Sequence, residues 1–239
     1  MSAISRLVIV FLCAFSLTAN AELPWQSDDH TRYLALGDSL TAGQGADPTT
    51  NGYAYLLYRD GIYDVPVLTL FADAAVPGVT SGDLLAHQVP LAGRFPPDVI
   101  TLTVGGNDLI AIVEHNPPLA PEQVPAAIGA FASNLGGALV SLCGVESSPE
   151  IYVGNLYEIP ELGPELAMLV GAFNDAIAMT VDNVASTFGC KVVVADVHAA
   201  FKGRSGLLNI ERAGADWDEV HPTNSGYKVM ERAFIDARF

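Results

Sequence analysis

The chain of 239 residues carries 27 acidic against 11 basic side chains, a formal net charge of −16, and half of its residues are apolar. That apolar share supports a sizeable core, and the length suits one α/β domain. The acidic balance repels phosphate backbones and anionic lipid surfaces, which argues against a nucleic-acid partner and against electrostatic docking on acidic membranes.

Residues 1–21 read as a secretory signal peptide. Arg6 supplies a positive charge, residues 7–17 are apolar apart from Ser16, and Ala19-Asn20-Ala21 is a small-x-small cleavage pattern before Glu22. The apolar run falls short of the roughly 20 residues that span a bilayer. Cys13 follows Phe11-Leu12 rather than small residues, which disfavours lipid attachment there. The expectation is an exported chain, secreted or periplasmic and cleaved after Ala21. Residues 22–239 then form a single domain, monomeric and without integral membrane association. Losing Arg6 leaves 10 of the 11 basic residues against 27 acidic ones, a formal charge of −17.

Five short apolar and β-branched runs, at 33–36, 67–71, 99–104, 151–155 and 192–196, predict strands. Helical spacing begins near Tyr53 and near Ser81, and extends over 125–142 and 164–188; a last helix starts after Pro222-Thr223-Asn224. Strands alternating with helices predict βαβ units and a parallel sheet, and near-continuous apolar strands such as 99–104 fit a sheet covered on both faces. The expected architecture is a three-layer α/β/α sandwich around a mostly parallel five-stranded sheet. Residues 116–125 and 202–215 read as loops. With Cys13 removed, Cys143 and Cys190 remain, both just before a predicted strand and so at one edge of the sheet. In an oxidising compartment they invite a disulfide; two buried thiols are the alternative.

Chemistry-bearing residues gather at the other edge. Ser39 follows the first strand within Gly37-Asp38-Ser39-Leu40, Gly78 follows the second, and Gly105-Gly106-Asn107-Asp108 follows the third. Parallel sheets bind ligands at these carboxyl ends. Asp218 and His221 come after the fifth strand, in Asp218-Glu219-Val220-His221-Pro222. A serine hydroxyl needs a base to take its proton, and His221 is the candidate base with Asp218 as its orienter. Asn107 can offer an amide, and Gly78 and Ser39 backbone N–H groups, to a developing oxyanion. Each residue also has a plainer reading: a turn serine, a turn glycine after Pro77, a loop amide capping the segment from Leu109. Asp108 is assigned to that capping role. Asp196 and His198 with Asp218 and His221 are too scattered for a metal site, so no metal or cofactor is expected, although His198 is placed to line the pocket. Ile110, Ile112 and Val113 suit either core or an acyl-chain pocket. No Gly-x-Ser-x-Gly elbow and no phosphate-binding loop occurs.

These stretches, from Gly37-Asp38-Ser39-Leu40 through Pro77-Gly78, Gly105-Gly106-Asn107-Asp108 and Asp218-Glu219-Val220-His221-Pro222, resemble the SGNH hydrolases, also called GDSL esterases and lipases. The resemblance runs from about Tyr33 to the C-terminus. It implies the flavodoxin-like sandwich of SGNH type and a Ser39–His221–Asp218 triad with an oxyanion hole from Ser39, Gly78 and Asn107. Five residues before Gly78, where the family often carries asparagine, stands Asp73. The implied activity is hydrolysis of acyl esters through an acyl-enzyme, of lipase, lysophospholipase or thioesterase type, on a small-molecule, lipid or glycan ester. A carbohydrate O-deacetylase on the same triad is the alternative, with Trp217 as an aromatic platform; a catalytically silent glycan- or lipid-binding domain is another.

Overall fold

A computed structural model describes residues 31–60, 69–210 and 220–239. Five strands, β1 (Thr31–Gly37), β2 (Thr69–Asp73), β3 (Val99–Thr103), β4 (Glu150–Gly154) and β5 (Val192–Ala195), form one sheet in the order β2-β1-β3-β4-β5. Every pairing is parallel. All five predicted runs became strands, and the sheet is wholly parallel.

Alternation along each strand splits the core in two. On one face Leu34, Leu36, Ile100, Leu102, Ile151 and Val153 meet three long segments. These are the stretch opened by α2 (Ser81–Asp83), then α4 (Val124–Cys143) and α5 (Pro164–Phe188). On the other face Tyr33, Ala35, Tyr152 and Ala195 meet α1 (Tyr53–Arg59), α6 (Val197–Phe201) and α7 (Asn224–Asp236). Each large apolar side chain so enclosed contributes about 1.5–3 kcal/mol relative to exposure. α4 has the length and mean hydropathy, 1.6, of a membrane span. Its Phe131, Leu135, Ala138, Leu139 and Leu142 are nevertheless buried in this core, with Phe131 against Phe173 of α5.

The order of the sheet decides where the chemistry can sit. The chain lays β2 on one side of β1 and then crosses to place β3 on the other. The crevice between the carboxyl ends of β1 and β3 is therefore the topological switch point, the usual ligand position in such sheets. At the opposite edge Cys143, the last residue of α4, is disulfide-bonded to Cys190, just before β5.

Candidate active site

The register of β1 against β3 puts Gly37 beside Thr103. Gly37 has φ +130°, and a Cβ there would stand 2.2 Å from the Thr103 carbonyl oxygen, so only glycine lets the strand end this close to its neighbour. The Gln88 side-chain amide then holds both Gly37 backbone groups, accepting from its N–H at 2.7 Å and donating to its carbonyl at 2.8 Å. Beyond Gly37 the chain coils in a helical turn, with Ala42 N–H donating to Asp38 O and Gln44 N–H to Ser39 O. Asp38 tightens that turn by accepting from Leu40 N–H at 3.0 Å.

His221 reaches Ser39 from the far end of the chain. Its Nε2 lies 2.8 Å from Ser39 Oγ, and the residue is only 8% exposed. Its seat is built by neighbours with no motif of their own. Leu208 bridges to Pro222, Thr223 N–H donates to Leu207 O, and the Tyr157 hydroxyl donates to Val220 O at 2.7 Å. Asn209 binds the His221 carbonyl through both its backbone N–H and its side-chain amide. Gly45, at φ +90°, passes so close that a Cβ would fall 2.7 Å from that of His221.

Gly78 and Asn107 complete the ring. Gly78, at φ +84°, lies in a turn anchored to β1 by Val76 N–H donating to Gly37 O. Neither Gly78 N–H nor Ser39 N–H has a protein acceptor among the described residues. Asn107, in the first turn of α3 (Gly106–Val113), donates one amide hydrogen to Val79 O at 2.9 Å, which fixes the group and leaves its second hydrogen to a ligand. The structure therefore brings Ser39, Gly78, Asn107 and His221 to one cleft of about 380 Å³. Asp218 and Trp217 lie outside the described residues.

Three expectations are corrected or resolved. Asp108 does not cap α3, whose N-cap is Gly105; its carboxylate instead accepts from Ser81 N–H at 2.9 Å and Ser81 Oγ at 2.6 Å. That bond ties the start of α2 to the start of α3, and so sets the Gly78 turn against Asn107. His198 does not line the cleft: its Nε2 meets Glu158 Oε1 at 3.0 Å in a separate depression, and Asp196 caps α6. The apolar residues after Asn107 divide, with Ile110 in the cleft, Ile112 against the core and Val113 exposed.

The remainder of the cleft is largely aliphatic. Leu109 and Ile110 of α3 face Leu156 and Ile159 of the β4–α5 loop and Leu166 and Val170 of α5. The loop owes its shape to Asn174, whose side chain pairs with both Leu156 backbone groups at 2.8 Å.

Against known proteins, residues 35–229 match the model of the GDSL-like lipase/acylhydrolase family. The chain belongs to this family. Over 216 residues it is 29% identical to the spore germination lipase LipC of Bacillus licheniformis, covering 83% of this chain and 92% of that protein. A shorter stretch of 121 residues is 31% identical to the esterase TesA of Pseudomonas aeruginosa, covering 48% and 55%. Among solved structures, a lipase from a goat rumen metagenome superposes with a TM-score of 0.69 at 26% identity, over 87% of this chain and 97% of that one. Membership in the GDSL-like family makes the protein an ester hydrolase with an α/β fold.

Proposed function

We propose that the protein hydrolyses carboxylic esters of acyl chains, with Ser39 as nucleophile, His221 as general base and Asp218 as the orienter of the imidazole. The observation that carries this is the 2.8 Å contact between Ser39 Oγ and His221 Nε2 at the mouth of an aliphatic cleft. Ser39 Oγ attacks the ester carbonyl as its proton passes to His221 Nε2. The carbonyl oxygen takes up the electron pair as an oxyanion between the Ser39 and Gly78 N–H groups and the Asn107 amide. Each such donor is worth roughly 2.7–4 kcal/mol in the barrier. Collapse expels the alcohol or thiol, which takes the proton from His221 and leaves an acyl-serine. Water, activated by the same imidazole, then adds to the acyl carbon and releases the acid and free Ser39.

Among the described residues the aliphatic Leu109, Ile110, Leu156, Ile159, Leu166 and Val170 outnumber Gln44, Glu114 and Tyr157 in the lining, and this balance favours an alkyl chain over a sugar ring as the group bound beside the carbonyl. The reading includes export by residues 1–21, and a Cys143–Cys190 disulfide suits an oxidising compartment.

Ser39→Ala and wild-type protein are incubated with a fluorophosphonate probe, then assayed on p-nitrophenyl esters from acetyl to palmitoyl beside acetylated xylan. Wild type should label at Ser39 and prefer chains longer than acetyl, and Ser39→Ala should do neither. Labelling that survives in Ser39→Ala removes the nucleophile assignment; turnover confined to acetylated xylan transfers the enzyme to the deacetylase reading.

A further inference from the structure

Beneath the nucleophile turn lies a buried carboxyl that the steps above do not use. Asp38 is 2% exposed and lines the cleft between Ser39 and Gly106. Its Oδ1 lies 2.8 Å from Thr103 Oγ1, Thr103 Oγ1 lies 2.8 Å from Thr41 Oγ1, and Thr41 Oγ1 lies 2.8 Å from the Tyr53 hydroxyl and 2.9 Å from the Leu36 carbonyl. All of these side chains are buried. Four contacts require four protons. Thr103, Thr41 and Tyr53 bring one hydroxyl proton each, so an ionised Asp38 leaves one contact as oxygen against oxygen with nothing between.

We infer that Asp38 is a positioning residue held as the neutral acid, the proton source that completes a hydroxyl chain under Ser39, and that its ionisation sets the alkaline limit of activity. The Leu36 carbonyl can only accept, so it takes the Thr41 proton. Tyr53 and Thr103 then both donate to Thr41, whose two lone pairs are filled, and Thr103 accepts from Asp38. Oδ1 also accepts from Leu40 N–H, which a carboxyl hydroxyl oxygen does through its remaining lone pair.

The surroundings point the same way. Among the described residues, the titratable groups around Asp38 are Tyr53 of α1, Asp108 of α3, Tyr157 of the β4–α5 loop, Tyr227 of α7 and, across the cleft, Glu114 and the His221 ring. Only His221 among them can carry a positive charge, and it must be neutral to act as base. Burial, with the Asp108 charge adding to it, raises the Asp38 carboxyl to about 6 while the Thr103 hydroxyl and the Leu40 N–H favour the charged form, so with that hydroxyl pointing at it the acid form holds only below this pH. Turning that hydroxyl toward Thr41 removes the favour and moves the value higher. The state matters for catalysis because a carboxylate on this wall would repel the oxyanion forming at Ser39, in a site where charges are poorly screened.

This inference rests on Ser39 being the nucleophile, and its test has a readout independent of turnover. Infrared difference spectra of wild type minus Asp38→Asn at neutral pH should contain the C=O stretch of a protonated carboxyl. The kcat/KM profile of wild type on a soluble p-nitrophenyl ester should fall on the alkaline side, and that fall should be absent from Asp38→Asn. Thr103→Val supplies the sign. If Asp38 donates to Thr103, losing the acceptor weakens the acid form and the alkaline fall moves to lower pH; if Asp38 were a carboxylate receiving that bond, the fall would move to higher pH. The absence of a protonated carboxyl band, or an upward move in Thr103→Val, overturns the inference. A failed fluorophosphonate reaction with an intact band would instead overturn the nucleophile and leave the protonation state standing. Should Asp38→Asn not fold, Thr103→Val decides the matter alone.

Discussion

Asn209 holds His221 by its backbone: the His221 carbonyl accepts from Asn209 N–H at 2.9 Å and from the Asn209 side-chain amide at 3.1 Å. The same amide lies 3.2 Å from the carbonyls of Gly45 and Pro222, so one side chain joins the turn after Ser39 to the loop that carries the base. Removing it should let the imidazole drift without touching its chemistry. Asn209→Ala should lower kcat by roughly 10- to 100-fold with little change in KM, the scale of loss that misplacement near 1 Å produces. Steady-state kinetics beside a thermal melt check this. An unchanged kcat in a folded variant would mean that the Leu208–Pro222 bridge and the Tyr157–Val220 bond suffice to position the ring.

Substrate length should be read by the aliphatic wall. Ile110 lines the cleft and is only partly buried, so a larger side chain can enter the cleft without overpacking the core. Ile110→Trp should leave turnover of acetyl and butyryl esters within a few-fold and reduce kcat/KM for decanoyl esters by at least roughly 10-fold, since each excluded methylene is worth about 1–3 kcal/mol. Equal losses at every chain length would place the acyl group elsewhere.

Much of this was legible in the sequence, for identifiable reasons. The strands are short apolar runs, and their number and places along the chain follow from composition and spacing. The meeting of Ser39, Gly78, Asn107 and His221 was legible because the first three follow strands of a parallel sheet, which collects such positions at one edge, and because all four stand in stretches that resemble the SGNH hydrolases. What could not be read were side chains whose partners are remote in sequence. Gln88 holds Gly37 across 51 residues, Asp108 turns away from its own helix to Ser81, and Tyr157 anchors Val220 across 63 residues. No periodicity or motif encodes such bonds. His198 was misplaced toward the cleft because position after a strand does not say to which side of a helix start a ring will turn; α6 begins there and directs it to Glu158. The one available signal for Asp38 was its place in the turn, which reads as a surface residue until burial is known.

The disulfide joins residues separated by 47 positions, at the edge of the sheet opposite the cleft. Closing a loop of that length restricts the unfolded chain, and the chain-entropy model gives about 4 kcal/mol as an upper figure. Reduction, or the pair Cys143→Ser and Cys190→Ser, should therefore lower the urea midpoint while leaving kcat/KM at 25 °C within about two-fold. A loss of activity in protein that is still folded would show that strain travels from this edge to the cleft through β4.

Stability should also carry the mark of Asp38. Burial raises its carboxyl from an ordinary value of 3.8 to about 6. Between those values the folded protein keeps a proton that the unfolded chain has released. The contribution is fully present below the unfolded value and is lost as the pH rises through the folded one, a total of about 3 kcal/mol. Asp38→Asn cannot ionise and lacks this dependence, so subtracting its unfolding free energy from that of wild type cancels the titration of every other group. Urea denaturation of both proteins between pH 3 and pH 8 should show wild type losing about 3 kcal/mol relative to Asp38→Asn as the pH rises. If Asp38 donates its proton to Thr103, the folded value lies above 6, and the loss is larger and extends to higher pH. A difference that stays constant across the range would mean that Asp38 titrates alike in the folded and unfolded chain, and that its burial is relieved by water reaching the cleft wall.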